Sequence, residues 1–195
     1  MRHLALLLGL LALACSGGGA ADAGQDRHAL AVDRAETRAA PATLQVSSPA
    51  FTAGDAIPLR HSAYGEGVSP PLAWANLPDG TVSLALMMED PDASSARPYV
   101  HWLAWNIEPA AAGLPEGVAA DAPGLVQGRN NRRTNGYFGP RPPGSSPHHY
   151  HFQLFALDTR LDLPAGANRE ALLAAMTGHV LAKGDLIGLF GRPQR

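Results

Sequence analysis

The chain has 195 residues, 46% of them apolar, and a formal charge of -2 at neutral pH. That composition fits an ordinary soluble protein with room for one globular domain of roughly 150 residues, and it lacks the concentrated Lys and Arg that binding a nucleic-acid backbone requires. The sole cysteine is Cys15 and the sole lysine is Lys183, so the rest of the chain can carry no disulfide or thiol chemistry and its positive charge is nearly all arginine.

Met1-Arg2-His3 forms a short basic start, Leu4 to Leu13 an apolar run too short to span a bilayer, and Ala12 and Ala14 are small residues before a cleavage point. This is the pattern of a signal peptide over residues 1–14. Cys15 follows directly and is succeeded by Ser16-Gly17-Gly18-Gly19, as at a bacterial lipoprotein processing site, although Ala12 stands where leucine is usual. Export is expected, with the protein periplasmic or anchored to the outer membrane through lipid on Cys15; plain secretion is the alternative. From Gly17 to about Thr43 the only larger aliphatics are Leu30 and Val32, too few to offset ordering entropy, and residues 15–43 therefore read as a disordered tether.

The folded domain is expected over residues 44–195. Leu44, Val46, Phe51 and Ile57 introduce strand-like apolar character, interrupted by Pro49 and Pro58. Val82 to Glu89, Val100 to Ile107 and Tyr150 to Asp158 are the strongest strand candidates, and the first is apolar almost throughout, as a central strand is. One helix is expected, capped by Asn168, with Leu172, Leu173 and Met176 on one face and Gly178 as its terminator. Val180 to Phe190 reads as strand around a turn at Gly184-Asp185. Seventeen prolines and 21 glycines fit a mostly β sandwich with long ordered loops.

Three segments carry candidate chemistry. Asp90 and Asp92 bracket Pro91 at the end of a strand; two-residue spacing turns both carboxylates to one side of an extended chain, while an Asx-type turn bonding nearby amides is the plainer alternative. Alternation places His101 with Leu103 and Trp105, on the face opposite Trp102, where a lone histidine is more often a satisfied core residue than a ligand. The stretch from Asn135 to Gly144, continuing to His148-His149-Tyr150, builds a stiff Pro/Gly loop with His148 and Tyr150 on one side of the next strand. An imidazole and a phenol both donate hydrogen bonds, so beside glycine amides at Gly139 or Gly144 they can cradle a phosphate or carboxylate. The alternative is a proline-rich connection with exposed histidines.

Ser69-Pro70-Pro71-Leu72 with Trp74, Asp90-Pro91-Asp92, His101-Trp102, Gly139-Pro140 with Pro142-Pro143, and His148-x-Tyr150 occur in the order and spacing of the phosphatidylethanolamine-binding family. The ending Gly178 to Lys183 resembles its bacterial Raf-kinase-inhibitor-like branch, of the YbhB/YbcL type. The resemblance spans about Ser47 to Arg192. It implies a central antiparallel sheet packed with a second sheet and few short helices, and a ligand pocket lined by Asp90, Asp92, His101, His148 and Tyr150, with Gly139 backbone as a further candidate. Two departures stand out. Val68 replaces the asparagine that many relatives place before Ser-Pro-Pro, and His149 replaces an arginine common between the pocket histidine and tyrosine, which weakens anion attraction where an ordinary histidine is uncharged.

The leading functional reading is an exported module that binds a small phosphate- or carboxylate-bearing molecule, such as a phospholipid head group, and modulates an unidentified protein partner. An inhibitor of an envelope protease or other enzyme is one alternative; an enzyme using His148 or Asp90 for acid–base work is another. No cofactor or metal is expected, although two acids and two histidines suit zinc, manganese or iron as a minority reading. A serine hydrolase lacks a G-x-S-x-G elbow, and the proline-filled 139–144 loop lacks a P-loop's amides and Lys-Ser/Thr ending. Arg129, Arg132 and Arg133 form a basic loop that either steers anions to the pocket or is simply solvated.

Overall fold

The computed structural model describes residues 28–194; the signal-like start and Cys15 lie outside the described residues. Its centre is a strand that is buried along its whole length, β3 (Ser83–Asp90). Such a strand needs partners on both edges and cover on both faces. The edges are filled by β4 (Tyr99–Ile107) and β7 (His148–Leu157), both antiparallel, and the five-stranded sheet is completed by β6 (Val126–Gln127) beyond β4 and β8 (Val180–Phe190) beyond β7. A second antiparallel sheet contains β1 (Gln45–Ser47), β2 (Leu72–Ala75) and β5 (Gly113–Leu114) in the order β1-β2-β5. The mostly β, two-sheet architecture expected from the sequence is the one observed.

Period-two alternation sorts the large sheet's side chains into two cores. Leu84, Leu86 and Met88 join Trp102, Phe152 and Leu154 on the face packed with Leu72 and Trp74 of the second sheet. Ala85 and Met87 join Leu103, Trp105, Phe155 and Leu157 on the other. That second face is covered by helix α1 (Arg169–Met176), through Leu172, Leu173 and Met176. Each of those three side chains contributes about 1.5–3 kcal/mol by burial. The helix starts where expected: the Asn168 side chain accepts from the Ala171 amide at 3.0 Å. It stops before Gly178, whose φ of +80° is the left-handed conformation that glycine adopts at least cost.

β8 runs unbroken through Gly184-Asp185, where a turn was expected. Gly184 serves close approach instead. A Cβ there would come within 2.5 Å of the Leu44 carbonyl oxygen, and this contact lets the chain entering β1 lie against the sheet, with the Leu44 amide bonded to the Lys183 carbonyl at 3.1 Å.

The tether expected over residues 15–43 is corrected for residues 28–43, which form a strap across the α1 side of the sheet. Ala31 is fully buried at the start of a 3-10 turn, Ala31–Asp33. Its amide donates to the Glu89 carboxylate at 2.8 Å, and the Val32 amide donates to Gln153 Oε1 at the same distance. The Lys183 ammonium donates to the carbonyls of Val32 (2.6 Å), Arg38 (3.2 Å) and Thr37 (3.4 Å), and burial lowers its pKa. Arg169 bonds the Ala29 carbonyl at 2.7 Å while its Nε donates to Glu89, which also accepts from Gln153 Nε2 at 2.8 Å. Composition underrates this segment because polar side chains of the domain hold its backbone, whereas few of its own side chains are apolar.

Removing one partner of a buried ion pair strands the other. Glu89→Ala is therefore expected to cost about 3–5 kcal/mol in urea unfolding, and to speed hydrogen exchange at the Ala31 and Val32 amides. A loss under about 1 kcal/mol contradicts this account.

Candidate functional site

At one end of the large sheet β3 finishes, while β4 and β7 begin. The loop leading into β7 closes over these ends and leaves a cavity of about 320 Å³. Asp90, Asp92, His101, His148 and Tyr150, drawn from three separated segments, all line it. Gly139 does not. A Cβ on Gly139 would lie 2.6 Å from the His61 carbonyl oxygen and 2.7 Å from the Ala63 nitrogen, so this glycine lets the loop lie flat on the backbone behind the cavity wall, where Pro140 O accepts from Ala63 N at 3.0 Å.

Asp90 forms the Asx turn and also meets a neighbouring histidine. Its Oδ1 accepts the backbone amides of Asp92 (2.9 Å) and Ala93 (3.1 Å), forming the Asx turn, while its Oδ2 meets His148 Nδ1 at 2.8 Å. Asp92 turns to the rim and accepts from both the backbone amide and the ring of His149, each at 2.7 Å. Partial burial works to raise the pKa of Asp92, but the bonds from His149 outweigh it and leave the carboxyl more acidic than usual.

His101 reaches the cavity by a departure from alternation. Met88 pairs with Trp102 and Glu89 with Val100, so His101 is an extra residue in a β-bulge. The bulge turns its ring away from the Leu103 face expected from simple alternation and toward Tyr150. There it packs edge-on to Tyr150 at 5.1 Å and stacks on Phe138 at 5.6 Å, with Nδ1 donating to the Phe138 carbonyl at 2.7 Å. Burial is the main influence on its pKa, which is pushed down to about 4. The ring is a neutral wall at physiological pH.

Tyr150 is fully buried. Burial, and then the neighbouring Asp90 charge, raise its pKa far above the usual tyrosine range, so the phenol keeps its proton. Its hydroxyl faces Asp90 and the Arg141 amide and completes no hydrogen bond of ordinary geometry. A buried donor left in this state costs about 1–3 kcal/mol unless something satisfies it.

Sequence reasoning did not single out two other lining residues, Arg141 and Tyr99, and it treated Arg132 only as part of a basic loop. Arg132 extends over the Phe138 ring at 5.3 Å, in cation–π range. Its loop is built around the buried Asn130, whose Oδ1 accepts from Arg132 N (2.9 Å) and Thr134 N (3.3 Å) and whose Nδ2 donates to Gly136 O (2.9 Å). Arg141 interrupts the prolines of the loop and also lines the cavity. Neither guanidinium has a carboxylate ion-pair partner among the described residues. In the sequence Arg141 stands between Pro140 and Pro142. Among the described residues no group of three or more His, Cys, Asp or Glu side chains is placed to hold a metal ion.

Residues 47–191 match the sequence model of the family described as Phosphatidylethanolamine-binding protein. A UPF0098 protein of Methanothermobacter thermautotrophicus is 47% identical over 152 residues, covering 76% of this chain and 99% of its own length. The "Putative lipoprotein LppC" of Mycobacterium tuberculosis is 35% identical over 186 residues, covering 93% and 90%. The crystal structure of E. coli YbcL, described as a member of the mammalian PEBP family, superposes with a TM-score of 0.72 at 27% identity, over 78% of this chain and all of that one. The PEBP homologue CT736 of Chlamydia trachomatis gives 0.71 at 36% identity, over 77% and 98%.

The depressed His101 pKa fixes a pH dependence of stability. Below its ordinary value of 6.5 the unfolded chain takes up a proton that the folded one refuses until about pH 4. Stability is therefore expected to fall as pH drops from 6.5 to 4, by up to about 3 kcal/mol from this residue. In urea titrations across that window His101→Phe, which keeps the aromatic packing, is expected to show a shallower decline; an unchanged slope contradicts the assignment.

Proposed function

The chain belongs to the phosphatidylethanolamine-binding protein family, and from that premise we propose that it is an exported binding protein whose cavity holds a small phosphate- or carboxylate-bearing molecule, such as a phospholipid head group. The observation that carries the reading is the buried Tyr150 hydroxyl, which completes no hydrogen bond of ordinary geometry, at the base of a cavity rimmed by Arg132 and Arg141, neither of which has a carboxylate ion-pair partner among the described residues. Donors below and positive charge above suit an oxyanion. The volume, about 320 Å³, is that of a small-molecule site rather than a groove for a folded partner. A positively charged amine on the same ligand has Asp92 available at the rim. Kinase inhibition is not carried over to this chain, because an exported protein does not meet a cytosolic kinase.

Export rests on the signal-like start, on Cys15 and on the similarity to LppC, which extends over 93% of the chain. Lipid on Cys15 would leave the domain close to a membrane, since the chain from Cys15 to His28 reaches at most about 45 Å.

A second reading has one observation in its favour. The Asp90–His148 pair has the geometry that orients an imidazole to transfer a proton, so acid–base catalysis on a bound molecule is its content. Turnover in a substrate screen that disappears in His148→Ala would favour it over binding alone.

Two outcomes are expected. Tyr150→Phe weakens phosphorylethanolamine or inorganic phosphate about 5- to 150-fold in calorimetric titration, and Arg132→Gln with Arg141→Gln weakens both anions and flattens the salt dependence of binding. Unaltered affinity in both variants removes the anion from this cavity. Separately, labelled fatty acid is expected on the protein in a host that processes lipoproteins and absent from Cys15→Ser; identical fractionation of the two leaves simple secretion.

A further inference from the structure

The His148 ring lines the cavity, and its hydrogen bonds leave one ring nitrogen without the proton that an anion requires. Asp90 Oδ1 is occupied by two backbone amides and Oδ2 by His148 Nδ1 at 2.8 Å. An ionised carboxylate only accepts, so in the neutral ring the proton sits on Nδ1 and Nε2 presents a lone pair. Nε2 bonds no protein group among the described residues, and the ring lines the cavity. A bare oxyanion brought against that lone pair is repelled.

The surroundings do not supply the missing proton. His148 is faced by Asp90 from β3, Asp92 from the turn after it, His101 from β4, Tyr150 two residues along β7 and Arg141 from the proline loop, with Arg132 across the cavity. The acids and the neutral His101 offer no proton to Nε2, the Tyr150 hydroxyl is turned to Asp90 and the Arg141 amide instead, and the arginines hold theirs. The imidazolium form resolves the conflict, because both ring nitrogens then donate, one to Asp90 and one to the ligand.

Resting on the anion-binding reading of this cavity, we infer that a fully ionised oxyanion enters together with one proton, carried on Nε2 of His148. A phosphate monoester that still bears a hydroxyl is the matching ligand class, since it brings that proton itself and can donate it to the neutral ring. A sulfate or a phosphodiester carries none, and requires the ring to take one from solvent.

Sulfate is therefore the informative probe. Calorimetric titration of the full chain with sodium sulfate at pH 8.5, in two buffers of different ionisation enthalpy, is expected to show uptake of about one proton per sulfate, with affinity falling as pH rises. His148→Gln, which puts a non-titrating amide donor near the position of Nε2, is expected to lose the proton uptake whatever its affinity. In the wild type, ¹⁵N spectra of the imidazole are expected to show both His148 nitrogens protonated once sulfate saturates the site. Sulfate bound without proton uptake, or uptake that persists in His148→Gln, overturns the inference and leaves anion binding intact. Binding of phosphate monoester with sulfate excluded at every pH also overturns it, because an imidazolium serves both. Failure of both anions to bind anywhere between pH 6 and 8.5 removes the anion-binding reading itself.

Discussion

A strand buried on both faces can end in two consecutive carboxylates only where each finds its own donors, and β3 ends in Glu89 and Asp90. Alternation sends them to opposite sides of the sheet, so they are satisfied by different parts of the chain. Glu89 takes Arg169 from α1, Gln153 from β7 and a backbone amide from the strap. Asp90 takes two amides of its own turn and the ring of His148. The strap on one face and the pocket on the other answer the same electrostatic demand. Each is fixed in place because leaving either carboxylate short of donors costs more than ordering the segment that supplies them.

Much of the sheet could be read in advance because its signals are local. The unbroken apolar run before Glu89 announces a strand covered on both faces, and Asn168 followed by Leu172, Leu173 and Met176 announces a capped amphipathic helix. His101 was assigned to the wrong face because a bulge is a mismatch in pairing between two strands, and nothing in the alternation of one strand records it. The strap escaped notice for a related reason. Its attachment uses backbone groups of Ala29, Ala31 and Val32, which every sequence possesses, and side chains of Lys183, Gln153 and Arg169 that lie far along the chain. Gly184 was taken for a turn because a glycine needed for close packing and one needed for a bend look alike in sequence.

Within the pocket, Asp90 divides its two carboxylate oxygens between different partners. One oxygen makes the turn and the other orients His148, so the turn sets the imidazole's geometry. The basic residues around the cavity come from different segments. His149 is spent on Asp92 at the rim, and the guanidiniums come from Arg132, held by the Asn130-centred loop, and from Arg141, which stands between prolines.

The strap also imposes an order of events on synthesis. It is among the earliest parts of the described chain to be made, yet the residues that hold it lie between 58 and 151 positions downstream, the farthest being Lys183 on the last strand. Contacts of such long range close late, after the entropy of a large loop has been met. Until β8 is in place the strap has no ammonium to bind and is held only by Glu89, Gln153 and Arg169. The docked strap is thus a mark of a completed molecule, written at the N-terminal end by the C-terminal one.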